Sequence, residues 1–300
     1  MSKVSAPSMM LRVIHSTTYS YGETVSICHT EARLAPRSER GQTLFDHQLV
    51  IEPEPGSSVA HKDYFGNAVT TFTIDEPHEV LRVTAQSLVE TRDTEAIHPK
   101  LTPPWEQVRE AVRHHENEQT FDAYQFVFES PRVMPATEFA NYAKPSFAAQ
   151  RPLLEGALDL CHRIFGDFKY NREATTVRTP VAEAFHSREG VCQDFSHVMI
   201  ACLRSLGLPA RYVSGYLRTG DNGIGAHASH AWLSIFCPGF GWLDLDPTND
   251  VIPGISHVTL GWGRDYSDVP PLQGVALGGA DQVIEVEVSV TPEEPAADLA

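Results

Sequence analysis

Short β-branched and aromatic segments fill the first third of the chain. LRVIHSTTYSY, HQLVIEPEP and EVLRVTAQSLVET are examples, and Gly, Pro, Asn and Asp separate such segments between residues 10 and 91. Runs of this composition, bounded by turn residues, are typical of strands. Several strands at this spacing predict a β-sandwich-like N-terminal domain over residues 10–95.

Helical periodicity follows this region. Residues 96–150 predict a helical connector, with a first helix in PPWEQVREAVRHHENEQ and the start of a second in FAAQRPLLEGALDLCHRIFGDF. The clearest helix comes later, where apolar residues recur at i, i+3, i+4, i+7, i+8 and i+11: Phe195, Val198, Met199, Cys202, Leu203 and Leu206. This spacing predicts one wide apolar face, and the Gly-Leu-Pro sequence at 207–209 predicts the end of the helix.

Three predicted strands come after that helix: PARYVSGYL, SHAWLSIF and FGWLDLDPT, the last two joined by a turn at CPG. Helix and strands together predict an α+β core over residues 151–275. The last unit, residues 276–300, contains the alternating segment VIEVEVSVTP, which predicts a strand. The terminal PEEPAADLA is expected to be a frayed acidic tail.

Charge and cysteine content restrict the partners and the compartment. The formal net charge of −16 argues against a nucleic-acid or anionic-membrane partner, because both need basic patches. The sequence has no run of 18 apolar residues and no apolar leader at its start, so we predict neither a transmembrane helix nor a signal peptide. Five cysteines without a CxxC pair disfavour a disulfide framework or a structural zinc site, so we predict a cytoplasmic protein.

A cysteine lies where the clearest helix begins, in REGVCQDFSH. If that helix starts at Gln193, Cys192 is its N-cap residue, where unpaired backbone N–H groups and the helix dipole favour a thiolate. Asp194 in the first turn partly opposes this effect. A free cysteine taken alone is more often a small buried apolar residue. Cys202, in the middle of the apolar face, is predicted to be one.

A thiolate nucleophile needs a histidine as general base and acid, and a third group that orients the histidine. His230 and Asp246 lie on two strands that the CPG turn joins. A three-residue loop, 237–239, places these two residues directly opposite each other, and a five-residue loop, 237–241, places them diagonally on the same face. An even-length loop would separate them. Odd-length loops therefore predict a His230–Asp246 pair.

Neighbouring residues leave alternatives open. His227 is a second histidine in AHASHAW, and we expect it in a Gly-rich loop near the site. Asp244 shares the predicted face of Asp246, and Asn249 is a further candidate for orienting the histidine. His197, five residues after the cysteine, is predicted to face away from it. The H-x-x-H spacing in this segment is not the i, i+4 arrangement of helical zinc sites, so no metal and no other cofactor is predicted.

Six motifs carry a resemblance to a known family. GVCQDF (190–195), HAW (230–232) and GWLDLDPT (241–248), in the order Cys, His, Asp, resemble the transglutaminase-like superfamily of papain-type cysteine enzymes. DFKY, TPVAEAF and GLPARYVSGY resemble, more narrowly, the bacterial transglutaminase-like cysteine proteases with a β-rich N-terminal domain. The resemblance extends from about Leu11 to Val290. It implies a papain/transglutaminase-like core in which the helix bearing the nucleophile packs on an antiparallel sheet.

The resemblance also implies roles: Cys192 as nucleophile, His230 as base and acid, and Asp246 as the orienting carboxylate. We therefore predict acyl transfer at an amide bond of a peptide or protein substrate, through a thioester on the cysteine. Hydrolysis, as a peptidase or amidase, is the leading form, and glutamine transamidation is the alternative. An alternative of another class is a catalytically silent peptide-binding module.

Four further residues are candidates for an oxyanion donor or for lining the cleft: Tyr170, Gln193, Trp232 and His227. The backbone N–H of the cysteine is expected to contribute to the oxyanion site, because it lies at the helix start. The tryptophan could equally pack the sheet. The pattern does not indicate an oligomeric state.

Overall fold

The computed structural model describes residues 7–39, 41–218 and 229–293. Its α-helices are α1 (Trp105–Arg113), α2 (Glu118–Tyr124), α3 (Thr137–Ala143), α4 (Leu153–Asp167), α5 (Val181–Ser187) and α6 (Cys192–Ser205). Within the described ranges, none of these helices is long and apolar enough to cross a membrane. The helices predicted after Pro104, near residue 150 and after Cys192 are all present.

The N-terminal strands belong to one antiparallel sheet. They are β1 (Ser8–Ala32), β2 (Gln42–Glu52), β3 (Ser57–Lys62), β4 (Ala68–Ile74) and β5 (His78–Arg92), in the order β2-β5-β1-β4-β3. The first strand is long enough to pair with different partners along its length: residues 8–20 pair with β5, and residues 28–32 pair with β4. The sheet therefore curls, and one apolar cluster, including Phe72, Ile74 and Leu81, fills it.

The C-terminal strands complete this N-terminal sheet. Strands β12 (Leu272–Gly278) and β13 (Gln282–Pro292) both pair antiparallel with β1. The alternating segment near the C-terminus is thus a strand, as predicted, but the sequence did not indicate its partner, β1, whose paired residues lie 261 to 281 positions earlier. The predicted acidic tail falls almost wholly in 294–300, outside the described residues.

The core contains a second antiparallel sheet. Its strands are β8 (Ala210–Leu217), β9 (His230–Cys237), β10 (Gly241–Leu245) and β11 (His257–Gly263), in the order β10-β9-β8-β11. A short parallel pair, β6 (Lys169–Tyr170) and β7 (Glu189–Gly190), precedes α6. The helix α6 packs on β8 and β9, and its apolar face joins the largest hydrophobic cluster of the described residues.

The two sheets contact each other through a separate apolar cluster. Leu11, Val13 and Val89 of the N-terminal sheet pack against Tyr216 of β8 and Val258 of β11. The molecule thus combines a strand-rich N-terminal domain with a mixed α+β core in which one helix packs on an antiparallel sheet. The predicted fold class is confirmed.

Candidate active site

The start of α6 is held by a side chain from its own first turn. Val191 is the N-cap, with extended backbone (φ −115°, ψ −177°), and Cys192 is the first helical residue, one position earlier than predicted. The Asp194 carboxylate accepts the Val191 N–H at 2.8 Å and the Thr175 hydroxyl at 2.6 Å. A Cβ on Gly190 would lie 2.6 Å from that carboxylate, so only glycine leaves room for this cap.

The helix start also explains the position of the cysteine. The half-buried Cys192 lies in the first turn, among the N–H groups that an α-helix leaves without an intrahelical partner. Burial raises the pKa of Asp194, and its hydrogen bonds with Thr175 and Val191 counteract that rise. The acidic side chain predicted to oppose a thiolate is therefore engaged in capping the helix.

His230 and Asp246 form a hydrogen-bonded pair at the end of the core sheet. His230 Nε2 lies 2.7 Å from Asp246 Oδ2, and both side chains are buried. In the β9–β10 register Phe236 pairs with Trp242 and Ser234 with Asp244. Residue 236 therefore lies opposite residue 242, as expected for the five-residue loop, and His230 and Asp246 are diagonal neighbours on one face of the sheet. Odd-length pairing was enough to bring the imidazole and the carboxylate to one face.

Each member of the His230–Asp246 pair stabilises the charged form of the other. Burial lowers the pKa of His230, but hydrogen bonds to Asp246 and Cys192, together with the negative charge of both partners, raise it to about 10. Burial also acts to raise the pKa of Asp246, yet its hydrogen bonds with His230, His257 and Asn249 hold it well below its ordinary value. The pair thus favours an imidazolium next to the Asp246 carboxylate.

The Asp246 carboxylate accepts more hydrogen bonds than the sequence suggested. Its donors are His230 Nε2 at 2.7 Å, Asn249 Nδ2 at 2.7 Å and His257 Nε2 at 3.2 Å on Oδ2, and the Thr248 N–H at 2.9 Å on Oδ1. Asn249, considered as an alternative orienting group, contacts the same carboxylate. Sequence reasoning missed His257, which lies at the start of β11 without any motif around it.

Asp244 and His197 make other contacts. Asp244 is half-buried and accepts a hydrogen bond from Ser234; burial raises its pKa, and the charge of Arg211 counteracts that rise. It therefore belongs to a different polar group from Asp246. His197 is buried and accepts the Tyr266 N–H at 3.2 Å. His227 lies outside the described residues.

The three remaining candidates for oxyanion or cleft residues have different environments. Tyr170 is half-buried; burial raises its pKa, and the charge of Cys192 adds to the rise. The Gln193 side chain donates to the Val177 carbonyl oxygen at 3.3 Å. Trp232 has no exposed surface, and its ring packs 6.0 Å from that of His230, so it packs the sheet and does not line an open cleft. Of these three candidates, Tyr170 is the one with a hydroxyl group, and the charge of Cys192 acts on its pKa.

The cysteines differ in their surroundings. All five are free, and Cys192 is half-buried whereas the other four are buried. Burial raises the pKa of the Cys202 and Cys161 thiols well above the ordinary value, and that of Cys237 to about 12. These thiols are poor nucleophiles for this reason.

One group of side chains could also hold a metal ion. Among the described residues, His230, Asp246 and His257 place one ligand atom each within 4.8 Å of one another. In the structure these atoms form hydrogen bonds with each other. The predicted lack of a metal remains a prediction.

Comparisons with known proteins agree with the fold. A profile of the bacterial transglutaminase-like N-terminal region matches residues 11–90, and one of the transglutaminase-like superfamily matches residues 140–247. An uncharacterized protein of Mycobacterium tuberculosis is 40% identical, over 94% of this chain and 93% of its own length. A protein-glutamine gamma-glutamyltransferase of Pseudomonas aeruginosa is 32% identical, over 34% of this chain and 18% of its own length.

A solved structure has the same fold along the whole chain. The crystal structure of a "putative cysteine protease" from Cytophaga hutchinsonii superposes with a TM-score of 0.76 and 19% identity, and it covers 97% of this chain and 93% of its own. At this identity the likeness concerns the fold alone. Together with the two profile matches and the mycobacterial relative, it places the chain in a family: this protein belongs to the transglutaminase-like superfamily, among the bacterial members with a transglutaminase-like N-terminal region.

Proposed function

We propose that this protein is a cysteine-dependent enzyme that transfers the acyl group of an amide in a peptide or protein substrate to the sulfur of Cys192. The observation that carries the proposal is the placement of His230. His230 Nε2 forms a hydrogen bond of 2.7 Å with Asp246, and a hydrogen bond to Cys192 helps to raise the pKa of His230. A thiolate beside an oriented imidazolium is the arrangement that nucleophilic cysteine catalysis requires.

The reaction follows from the positions of these groups. The Cys192 thiolate attacks the amide carbonyl carbon, and the oxyanion that forms lies near the helix start, where the Cys192 N–H donates a hydrogen bond. As the C–N bond breaks, His230 gives its proton to the departing amine, which leaves a thioester. Tyr170 is the side chain we propose as a second oxyanion donor, and each such donor contributes about 3 kcal/mol in the transition state.

We propose hydrolysis as the second half of the reaction. Water needs no binding site of its own, whereas an amine acceptor has to be bound beside the thioester. His230, now neutral, takes a proton from the water molecule as the water oxygen bonds to the thioester carbon. The C–S bond then breaks, the carboxylic acid leaves, and Cys192 returns as the thiolate beside protonated His230. Transamidation is the second candidate, because a relative over about a third of the chain is a protein-glutamine gamma-glutamyltransferase.

Alkylation of the cysteines tests the proposed nucleophile. Iodoacetamide at about pH 6 should modify Cys192 at least 10-fold faster than a free thiol, because only the thiolate reacts. The Cys192→Ala variant should lose this fast phase, and Cys202→Ala should keep it, since that thiol is buried in α6. A Cys192 that reacts no faster than a free thiol would favour the silent peptide-binding module.

The acceptor is tested separately. A glutaminyl peptide library is incubated with a labelled primary amine, and new carboxylic acids, released ammonia and incorporated label are measured together. Hydrolysis predicts acid and ammonia or amine release without incorporation. Label bound to peptide, absent with Cys192→Ala, would replace hydrolysis by transamidation. The cytoplasmic location remains a prediction, which fractionation of the native host would check.

A further inference from the structure

We propose that His257 is a positioning residue, a second histidine that holds the Asp246 carboxylate in the orientation that His230 needs. This inference rests on the proposed function and adds a residue to it. The contact joins opposite edges of the core sheet, because Asp246 follows β10 at one edge and His257 begins β11 at the other.

The hydrogen bonds of the His257 ring define which nitrogen carries the proton. The Gly254 N–H points at Nδ1 from 3.4 Å, so Nδ1 is the acceptor. The neutral ring then carries its proton on Nε2, which lies 3.2 Å from Asp246 Oδ2. His257 is therefore built to donate to the carboxylate, and its side chain is only 8% exposed.

A carboxylate with one partner can rotate, and a rotated carboxylate would no longer face His230. Asn249 and Thr248 lie in the same short segment as Asp246, so they move together with it. Besides His230 itself on β9, His257 on β11 is a donor from a separate strand, and it fixes that segment relative to the core sheet. The ring of Trp232 packs edge-on against the His257 imidazole, with 5.2 Å between the ring centroids, and prevents the imidazole from turning away.

The N-terminal domain fixes the strand that carries His257. The side-chain amide of Gln42 forms hydrogen bonds with the backbone N–H and C=O of Thr259. The side-chain amide of Asn67 does the same with the backbone N–H and C=O of Trp262. These four bonds, between 2.8 and 3.0 Å, occupy the outer edge of β11. The domain thus has a role in the site without contributing a reacting group.

Replacement of His257 tests the inference with iodoacetamide as the probe, so no natural substrate is needed. His257→Phe and His257→Met remove the donor, and both should slow alkylation of Cys192 at about pH 6 by roughly 10-fold, the effect of a small misplacement of a supporting group. His257→Gln keeps an N–H at the same reach and should stay within about 2-fold of the unmodified protein. His47→Phe, on β2 and bonded to Ser87, is the matched control and should leave the rate unchanged.

The outcomes separate this inference from the proposed function. If His257→Phe and His257→Met are alkylated as fast as the unmodified protein, the role of His257 is overturned while Cys192 stays a nucleophile. The same holds if His257→Gln is alkylated as slowly as these two variants. Slow alkylation in the unmodified protein would instead overturn the proposed function itself. Urea unfolding of every variant identifies a loss of stability, and the glutamine rescue is a readout that a purely structural role would not produce.

Discussion

The side-chain amide of Gln42 takes the place of a neighbouring strand for Thr259. Its oxygen accepts the Thr259 N–H at 2.8 Å, and its nitrogen donates to the Thr259 carbonyl oxygen at 2.9 Å. Thr259 lies in β11, two residues after His257, at the edge of the core sheet. One residue of the N-terminal domain thereby completes the edge of the strand that leads into the candidate site.

Loss of that amide should therefore destabilise the protein. Gln42→Leu leaves the buried Thr259 N–H without its partner, whereas the Thr259 carbonyl oxygen keeps the Arg37 N–H at 3.1 Å, and we expect a loss of about 1–3 kcal/mol in the free energy of unfolding. Gln48→Leu, the same change at an exposed position of β2, should cost less than about 0.5 kcal/mol. Urea titration measures both, and equal effects would contradict the edge-completing role.

Gly215 should be intolerant of any side chain. A Cβ there would lie 2.2 Å from the Val258 carbonyl oxygen and 2.4 Å from the ring of Trp232. We expect Gly215→Ala to cost about 3 kcal/mol or more and to slow Cys192 alkylation, because Trp232 packs beside both His230 and His257. In α4, Gly166 has no atom within 4 Å of the corresponding position, so Gly166→Ala should stabilise the protein by up to about 1 kcal/mol.

The His230–Asp246 pair predicts a characteristic dependence of stability on pH. The pKa of Asp246 is lowered by folding, so its contribution is present above the ordinary value of 3.8 and is lost as the pH falls below it. The pKa of His230 is raised from 6.5 to about 10, so its contribution is complete below 6.5 and is lost as the pH rises toward 10.

Asp246→Asn should remove both dependences. We expect the difference in unfolding free energy between the two proteins to be largest near pH 5, at about 3 kcal/mol, and to shrink on both sides. Chemical denaturation at about pH 3, 5 and 9 measures it. A difference that stays constant across this range would mean that the buried pair is not charged.

Arg204 should be needed for its shape as well as its charge. Its buried guanidinium donates to the Ala210 carbonyl from two nitrogens, at 3.1 and 2.8 Å, and to the Ser130 hydroxyl at 3.0 Å. Lysine cannot form this fork, so we expect Arg204→Lys to cost about 3 kcal/mol of unfolding free energy. Arg113→Lys, on the exposed end of α1, should change it by less than about 0.5 kcal/mol in the same urea titration.

Local patterns in the sequence were enough for the elements and for part of the site. Period-two and period-3.6 spacing predicted the strands around the CPG turn and the helix after Cys192, because these periods follow from backbone geometry alone. The odd length of the turn placed His230 and Asp246 on one face of the sheet for the same reason. The helix start was misplaced by one residue, since the Asp194 cap depends on space that only Gly190 leaves.

Contacts between distant segments could be known only from the tertiary structure. His257 has no motif around it, and its hydrogen bond to Asp246 joins the start of β11 to the segment after β10, which lie at opposite edges of the core sheet. The pairing of β13 with β1, and of the Gln42 amide with Thr259, joins residues more than 200 positions apart. Periodicity describes which face of an element is apolar, whereas the partner of that face is selected by packing of the whole chain.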